Sequence, residues 1–235
     1  MKWLIVNADD FGASRGINRG IAATRRRGVL TSASLMVNRP AAEDAAALMR
    51  EWPDLSVGLH LELEAGGEER LVGELDHQFS RFQELTGTPP THLDSHHDVH
   101  RDPRMLKHVL AFARRYALPL RGYSEVRHLG KFYGQWGGET HPEQISVAGL
   151  TGLLDAEVEE GVTELCCHPG FVEECYPSRY AAERAMEVRT LCARGVRNAL
   201  AERQIHLIGF RDLGTLVQGP REPPMPRSPR PRSRP

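Results

Sequence analysis

Trp3 to Asn7 reads WLIVN, a short continuous apolar run of the kind that makes a strand buried on both faces. Beyond it Ser14 offers an N-cap, Ile17 and Ile21 lie four apart, and Gly28 can end the helix. SASLMVN (Ser32 to Asn38) is a second strand candidate, and Pro40 opens an Ala-rich helical stretch reaching Arg50. SVGLHL (Ser56 to Leu61) reads as a third strand, followed by a weakly patterned helix over Gly73 to Leu85. Pro89-Pro90 marks a boundary, Thr91 to Asp94 begins a fourth strand, and Pro103 suits the first turn of a helix reaching about Tyr116. Leu118 to Arg121 is a poor strand by composition, yet the alternation requires something extended there. Ile145 to Glu160 sets Leu150, Leu153, Leu154 and Val158 on one helical face, and Thr163 to Cys167 (TELCC) is a strand. Ser178 caps a predicted long helix to about Leu200, and Ile205 to Gly209 is the last strand.

Strand and helix alternate about seven times, which predicts a parallel sheet covered by helices. The expected fold class is therefore α/β. One domain of this size is more naturally a (β/α) barrel of about seven parallel strands than two halves, with a doubly wound sheet as the alternative. The pattern stops near residue 217, so the expected division is a barrel domain over 1–217 and a tail over 218–235. From Gly219 onward the tail holds seven prolines, five arginines, one glutamate and no aromatic residue, a composition that predicts disorder.

Composition narrows the classes. Of 235 residues 40% are hydrophobic and 26% charged, which excludes a collagenous or wholly disordered chain. The net charge of −1 argues against general nucleic-acid affinity. No run approaches the roughly 20 apolar residues of a membrane span, and the first residues lack the pattern of a secretory signal. A cytoplasmic location is expected, in which Cys166, Cys167, Cys175 and Cys192 stay reduced and act as small hydrophobes. Eleven histidines are many for this length.

Barrel and open-sheet enzymes place their chemistry at the C-terminal ends of strands. Here the first strand is followed by Asp9-Asp10, the third ends at His60, the fourth opens into HLDSHHDVH (His92 to His100), and TELCC leads into His168-Pro169-Gly170. Singly, each has an ordinary explanation as a turn, a cap or a satisfied core histidine. Four histidines and two aspartates within nine residues, meeting acids and imidazoles from three other strand ends, are what a hydrolytic metal site requires. A carboxylate and two imidazoles leave open positions on a divalent cation, whose bound water becomes a usable nucleophile. A second carboxylate takes the water's proton and a histidine protonates the leaving amine. Asp9 and Asp10 cannot point the same way on an extended chain, which favours one as ligand and the other as base. Which histidines ligate stays open, since His92 and His96 share a face in either a strand or a helix.

NADDFG, TSASLMVN, GLHLEL, THLDSHHDVH and ELCCHPG occur in the order found in the YdjC-like carbohydrate deacetylases, and the chain resembles that family from about residue 2 to about residue 214. The resemblance implies a distorted (β/α) TIM-like barrel that removes acetyl groups from N-acetylated sugars with a divalent metal, Zn2+ or Mg2+. It implies Asp10, His60 and His96 as metal ligands, Asp9 as base, and His168 as acid or transition-state stabiliser. Asp98 and Lys131 depart from the family pattern, and the stretch between GLHLEL and THLDSHH is comparatively short. Asp94 is expected to orient His168 or His96 through a ring N–H. His97 and His100 either bond substrate hydroxyls or fill the rim, and Phe132, Tyr133 and Trp136 either stack on sugar or serve the core. The expected partner is an N-acetylated carbohydrate, with no nucleic acid or membrane; a homo-oligomer is left open. A metal-dependent phosphoesterase on a similar barrel and a non-catalytic sugar-binding relative are the rival readings.

Overall fold

The computed structural model describes residues 1–64, 66–173 and 178–216; the tail expected over 218–235, and Cys175, lie outside them. The chain opens with β1 (Lys2–Phe11), α1 (Arg15–Arg27), β2 (Ser32–Leu35), α2 (Ala42–Glu51) and β3 (Ser56–Leu61). Then come α3 (Glu68–Thr86), β4 (Leu93–Ser95), a 3-10 turn over His96–Arg101, and α4 (Pro103–Arg115). The second half holds β5 (Arg127–Leu129), a hairpin of β6 (Gln135–Trp136) and β7 (Glu139–Thr140), α5 (Val147–Glu157) and β8 (Gly161–Cys167). It closes with α6 (Ala181–Leu191), α7 (Arg194–Glu202), β9 (Ile205–Leu207), a 3-10 turn over Phe210–Asp212 and α8 (Leu213–Leu216).

Local chemistry accounts for many of these boundaries. Ser14 Oγ accepts from Ile17 N at the start of α1, Asp102 accepts from Arg104 N with Pro103 opening α4, and Ser146 accepts from Gly149 N at α5. Helix α3 starts at Glu68, five residues before the expected Gly73, with Glu68 and Glu69 in its positively polarised first turn. Gly137 and Gly138, both at positive φ, form the two-residue turn of the β6–β7 hairpin, which apolar patterning alone does not predict. Residues expected to form one helix from Ser178 to Leu200 form two, and Ser178 Oγ accepts from Tyr180 N instead of capping a helix. The break resets phase. The buried face of α6 runs through Arg184, Glu187, Val188 and Leu191, that of α7 through Val196, Ala199 and Leu200, and one straight helix cannot bury both stripes. Helix α6 packs on α1, and α7 on α5.

The main sheet has seven strands, in the order β4-β3-β2-β1-β8-β5 with β9 also pairing with β1, and its pairings are parallel. It curls into a distorted half-barrel. Leu120, in the segment expected to be extended, forms one parallel bridge to Leu93 at the β4 edge. Residues alternate across each strand. Leu4, Val6 and Ala8 join the main apolar core beneath the helices, while Ile5, Asn7 and Asp9 face the barrel interior. That interior is graded. Ile5, Val126, Ile208 and Phe210 fill its lower end, and above them the inward positions are polar: Asn7, Ser34, His92, Asp94 and Glu164, all buried. Gly58 is required there, since a Cβ would lie 2.5 Å from the His92 ring.

Candidate active site

At the C-terminal ends of the strands lies a cavity of about 560 Å3 whose wall includes Asp9, Asp10, His60, His96 and His168. The four strand ends singled out in the sequence meet there. The backbone around it is strained, with non-glycine residues Asp10, His97 and Asp98 at φ 64°, 55° and 53°. The extended chain assumed for this pair in the sequence does not hold at Asp10. The backbone turns to φ 64° there, within the strand, and both Asp9 and Asp10 line the cavity.

Asp10, His60 and His96 bring ligand atoms within 4.8 Å of one another. Asp10 Oδ1 lies 3.5 Å from His60 Nε2 and 3.2 Å from His96 Nδ1. Among the described residues neither Asp10 Oδ1 nor His60 Nε2, both buried, has a hydrogen-bond partner, as donor atoms shaped for a cation would be. The other face of each group is occupied. Arg184 donates to Asp10 Oδ2, and His60 Nδ1 is 2.7 Å from Asp94 Oδ1. Burial opposes a charge on His60, yet Asp94, Asp10 and Asp9 around it hold its pKa well above the ordinary value. Asp94 thus pairs with His60, and not with the expected His96 or His168; it also accepts from Ser34 Oγ.

Arg121 sits at the centre of the interior, 4% exposed. Its guanidinium donates to both oxygens of Asp9 at 2.7 Å and to Glu164 Oε1 at 2.7 and 2.9 Å, and lies 2.7 Å from Asp94 Oδ2. Three buried carboxylates from β1, β4 and β8 therefore share one cation. Burial is the largest single influence and raises each carboxyl pKa, but Arg121 together with the nearby imidazoles of His60, His92 and His128 outweighs it, and Asp9, Asp94 and Glu164 are all held below their usual values. Asn7 and the Cys166 thiol also donate to Asp9, the latter to Oδ2 at 3.3 Å.

His168 follows β8 with Nε2 3.9 Å from Asp9 Oδ2. Its backbone is held on both sides from α6: its N–H donates to Glu187 Oε2, and its C=O accepts from Arg184. Tyr180 OH donates to Glu187 Oε1 at 2.6 Å and accepts from Gly134 N at 2.7 Å, joining this clamp to the loop before β6. The ring makes edge contacts with Tyr133 and Tyr180, which stack on each other at 4.4 Å. Burial pushes His168 down to about 4 against the pull of Asp9 and Asp10, and pushes Glu187 up to about 8.

The remaining candidates divide. His97 and Tyr133 line the cavity. His100 is fully buried, with Nδ1 2.6 Å from Ser95 Oγ and Nε2 3.1 Å from the Arg121 carbonyl, and it is not among the residues that line the cavity. His92 is buried against Phe210 and Ser34, away from the donor cluster. Phe132 is core, whereas Trp136 is 49% exposed and stacks on His141. Cys166 and Cys167 are buried. Arg121, Glu164, Tyr180, Arg184 and Glu187 bond the groups of this site and are not singled out by the sequence pattern, although the strand-end rule applied to Leu118–Arg121 would find Arg121.

A curled parallel sheet with a carboxylate–imidazole cluster and a separate Asp–His pair at its C-terminal rim has the plan of a barrel enzyme. The model of the YdjC-like protein family matches residues 3–73 and 68–202, and the chain belongs to that family. It is 36% identical to a chitooligosaccharide deacetylase of Serratia marcescens, covering 90% of this chain and 99% of that one. It is also 36% identical to a carbohydrate deacetylase of Geobacillus stearothermophilus, over 90% and 98%. Among solved structures, a protein of Enterococcus faecalis with a proposed role in cellobiose-phosphate cleavage superposes with TM-score 0.78 at 29% identity, covering 90% and 98%. A family 4 acetyl xylan esterase of Clostridium thermocellum, in complex with a cobalt ion, shares the fold at TM-score 0.56 and 15% identity over 93% of each chain. Among the described residues no helix is long and apolar enough to cross a membrane.

Proposed function

We propose that this chain is a metal-dependent hydrolase that removes acetyl groups from N-acetylated sugars or oligosaccharides. The observation that carries the reading is the placement of two unpartnered buried donors, Asp10 Oδ1 and His60 Nε2, beside His96 and within one cavity of the Asp9–His168 pair. Relatives named as deacetylases over nearly their whole length supply the substrate class.

Asp10, His60 and His96 would hold the ion, and two imidazoles with one carboxylate suit zinc or another transition ion better than magnesium. When bound, a divalent ion supplies Lewis-acid polarisation of the acetamide carbonyl and a water acidic enough to react near neutral pH. Asp94 keeps the His60 Nδ1–H engaged, which leaves Nε2 as the donor atom. Asp9, fixed by Arg121 and kept ionised, takes the water's proton at Oδ2, the oxygen facing His168. The His168 imidazole is neutral at rest, so the proton it delivers to the departing amine arrives through Asp9 during turnover. The amine and acetic acid then leave, the acid giving its remaining proton to solvent or to the amine, and the Asp9–His168 pair returns to its starting charge.

The test is acetate release from a panel of N-acetylated mono- and oligosaccharides, with metal-stripped and reconstituted protein. Release that depends on the added divalent ion supports the assignment, and none from any substrate with any ion overturns it.

A further inference from the structure

Strand β8 alternates as β1 does. Leu165 and Cys167 enter the apolar core, and Cys166 turns inward beside its register partner Asn7. Cys166 is 7% exposed, yet it belongs to the cavity wall, as do Asp9 and His168. These three bring ligand atoms within 4.8 Å of one another, in a group that shares no residue with Asp10, His60 and His96. Cys166 Sγ lies 3.3 Å and His168 Nε2 3.9 Å from the same oxygen, Asp9 Oδ2. Around a tetrahedral zinc ion, sulfur, nitrogen and oxygen ligands stand about 3.3–3.6 Å apart. The sulfur–oxygen spacing already fits, and the imidazole has to move by about 0.5 Å.

Asp9 is bonded unequally at its two oxygens. Oδ1 accepts from Asn7 and Arg121, whereas Oδ2 accepts from Arg121 and the Cys166 thiol. Exchanging that thiol proton for a cation costs Oδ2 only one weak donor. Charge favours the exchange, because Arg121 neutralises only one of the carboxylates of Asp9, Asp94 and Glu164 that surround it. We propose that Asp9 Oδ2, Cys166 Sγ and His168 Nε2 form a second metal site, selective for thiophilic divalent ions such as Zn2+ and Co2+ over Mg2+, and that its occupation blocks turnover. Coordination forms the sulfur–metal bond as the Cys166 S–H bond breaks and its proton passes to solvent. A thiolate ligand suits soft ions, whereas Mg2+ takes oxygen ligands. The ion holds the Asp9 oxygen and the His168 nitrogen that face each other, so metal in excess is an inhibitor. The site stands apart from the deacetylase reading; only the inhibition rests on it.

Cobalt is the probe, because Asp10, His60 and His96 offer no sulfur and a thiolate-to-cobalt charge-transfer band in the near ultraviolet reports a cysteine ligand alone. Metal-stripped wild type and Cys166→Ser, the latter checked for native circular dichroism, are titrated with excess Co2+. The band appears in wild type and is lost in Cys166→Ser, which binds one ion fewer per chain by equilibrium dialysis. No band in wild type, or a band of equal strength in the variant, overturns the site. Cys166→Ala takes the place of the serine variant if that one does not fold. In acetate release from N-acetylated sugars, excess Zn2+ inhibits wild type and excess Mg2+ does not. Half-inhibition of Cys166→Ser needs at least about tenfold more Zn2+, the lower end of what losing even an outer partner of a metal costs. Equal zinc sensitivity in the two proteins refutes the inhibition. If no sugar releases acetate, the deacetylase reading fails and the absorption band alone decides the site.

Discussion

Replacing Arg121 with methionine tests the electrostatic design of the barrel interior. Methionine approximates the volume of the arginine stem but leaves Asp9, Asp94 and Glu164 buried with no guanidinium among them. Breaking one buried ion pair costs about 3–5 kcal/mol, and here one cation serves three carboxylates, so a loss of at least about 3 kcal/mol is expected near pH 7.5. The sign of the pH dependence follows. In the wild type the three folded-state pKa values lie below the unfolded ones, so their contribution is present above the usual carboxylate range and lost as pH falls through the folded-state values. Without Arg121, burial is opposed only by the neighbouring imidazoles of His60, His92 and His128, and all three pKa values rise. The variant then takes up protons on folding, and its deficit shrinks on acidification. Urea unfolding of both proteins at pH 7.5 and 5, followed by circular dichroism, measures the gap. A deficit below about 1 kcal/mol at pH 7.5, or one that widens toward pH 5, would refute the reasoning.

Three further outcomes are expected. Asp10→Asn and His60→Gln lose bound metal, and Asp94→Asn weakens affinity by about 10- to 100-fold, read by metal analysis after dialysis against a graded chelator; full retention in the first two means the donor set is wrong. Tyr180→Phe breaks the clamp on His168 at Glu187 and at Gly134, with an expected destabilisation of about 1–3 kcal/mol and a fall in kcat larger than any change in KM. A KM effect alone contradicts the positioning role. Cys166 and Cys167, whose thiol pKa values burial pushes well up, resist a thiol reagent in the native protein and react in urea, as mass spectrometry of the labelled peptides records.

What is legible in the sequence is whatever depends on short-range chemistry. Ser14 and the Asp102-Pro103 step announce their helices, and the apolar runs beginning at Trp3, Ser56 and Thr163 locate β1, β3 and β8. Because parallel strands present their ends to one rim, Asp9, Asp10, His60, the His92–His100 segment and His168 can be gathered from the order of strands along the chain, whereas His96 is singled out within that segment only by the family resemblance. Arg121 escapes because an arginine after LPL reads as a surface residue; only three carboxylates from distant strands make its position interior. Helix α6 misleads for a related reason. Periodicity assumes that the inward face is apolar, and this helix turns Arg184 and Glu187 inward to hold His168.

The left-handed bend at Asp10 also governs how that position can be altered. A residue with a Cβ meets a penalty of roughly 1–2 kcal/mol at such a φ, least for asparagine and aspartate. Asparagine therefore removes the charge while keeping the bend, whereas alanine mixes a lost donor with added strain. Glutamate would keep the charge but adds strain and moves the carboxylate one methylene outward. Glycine would relax the backbone and leave no donor. Among ionisable side chains, aspartate alone meets both demands, so position 10 has almost no neutral neighbours in sequence space.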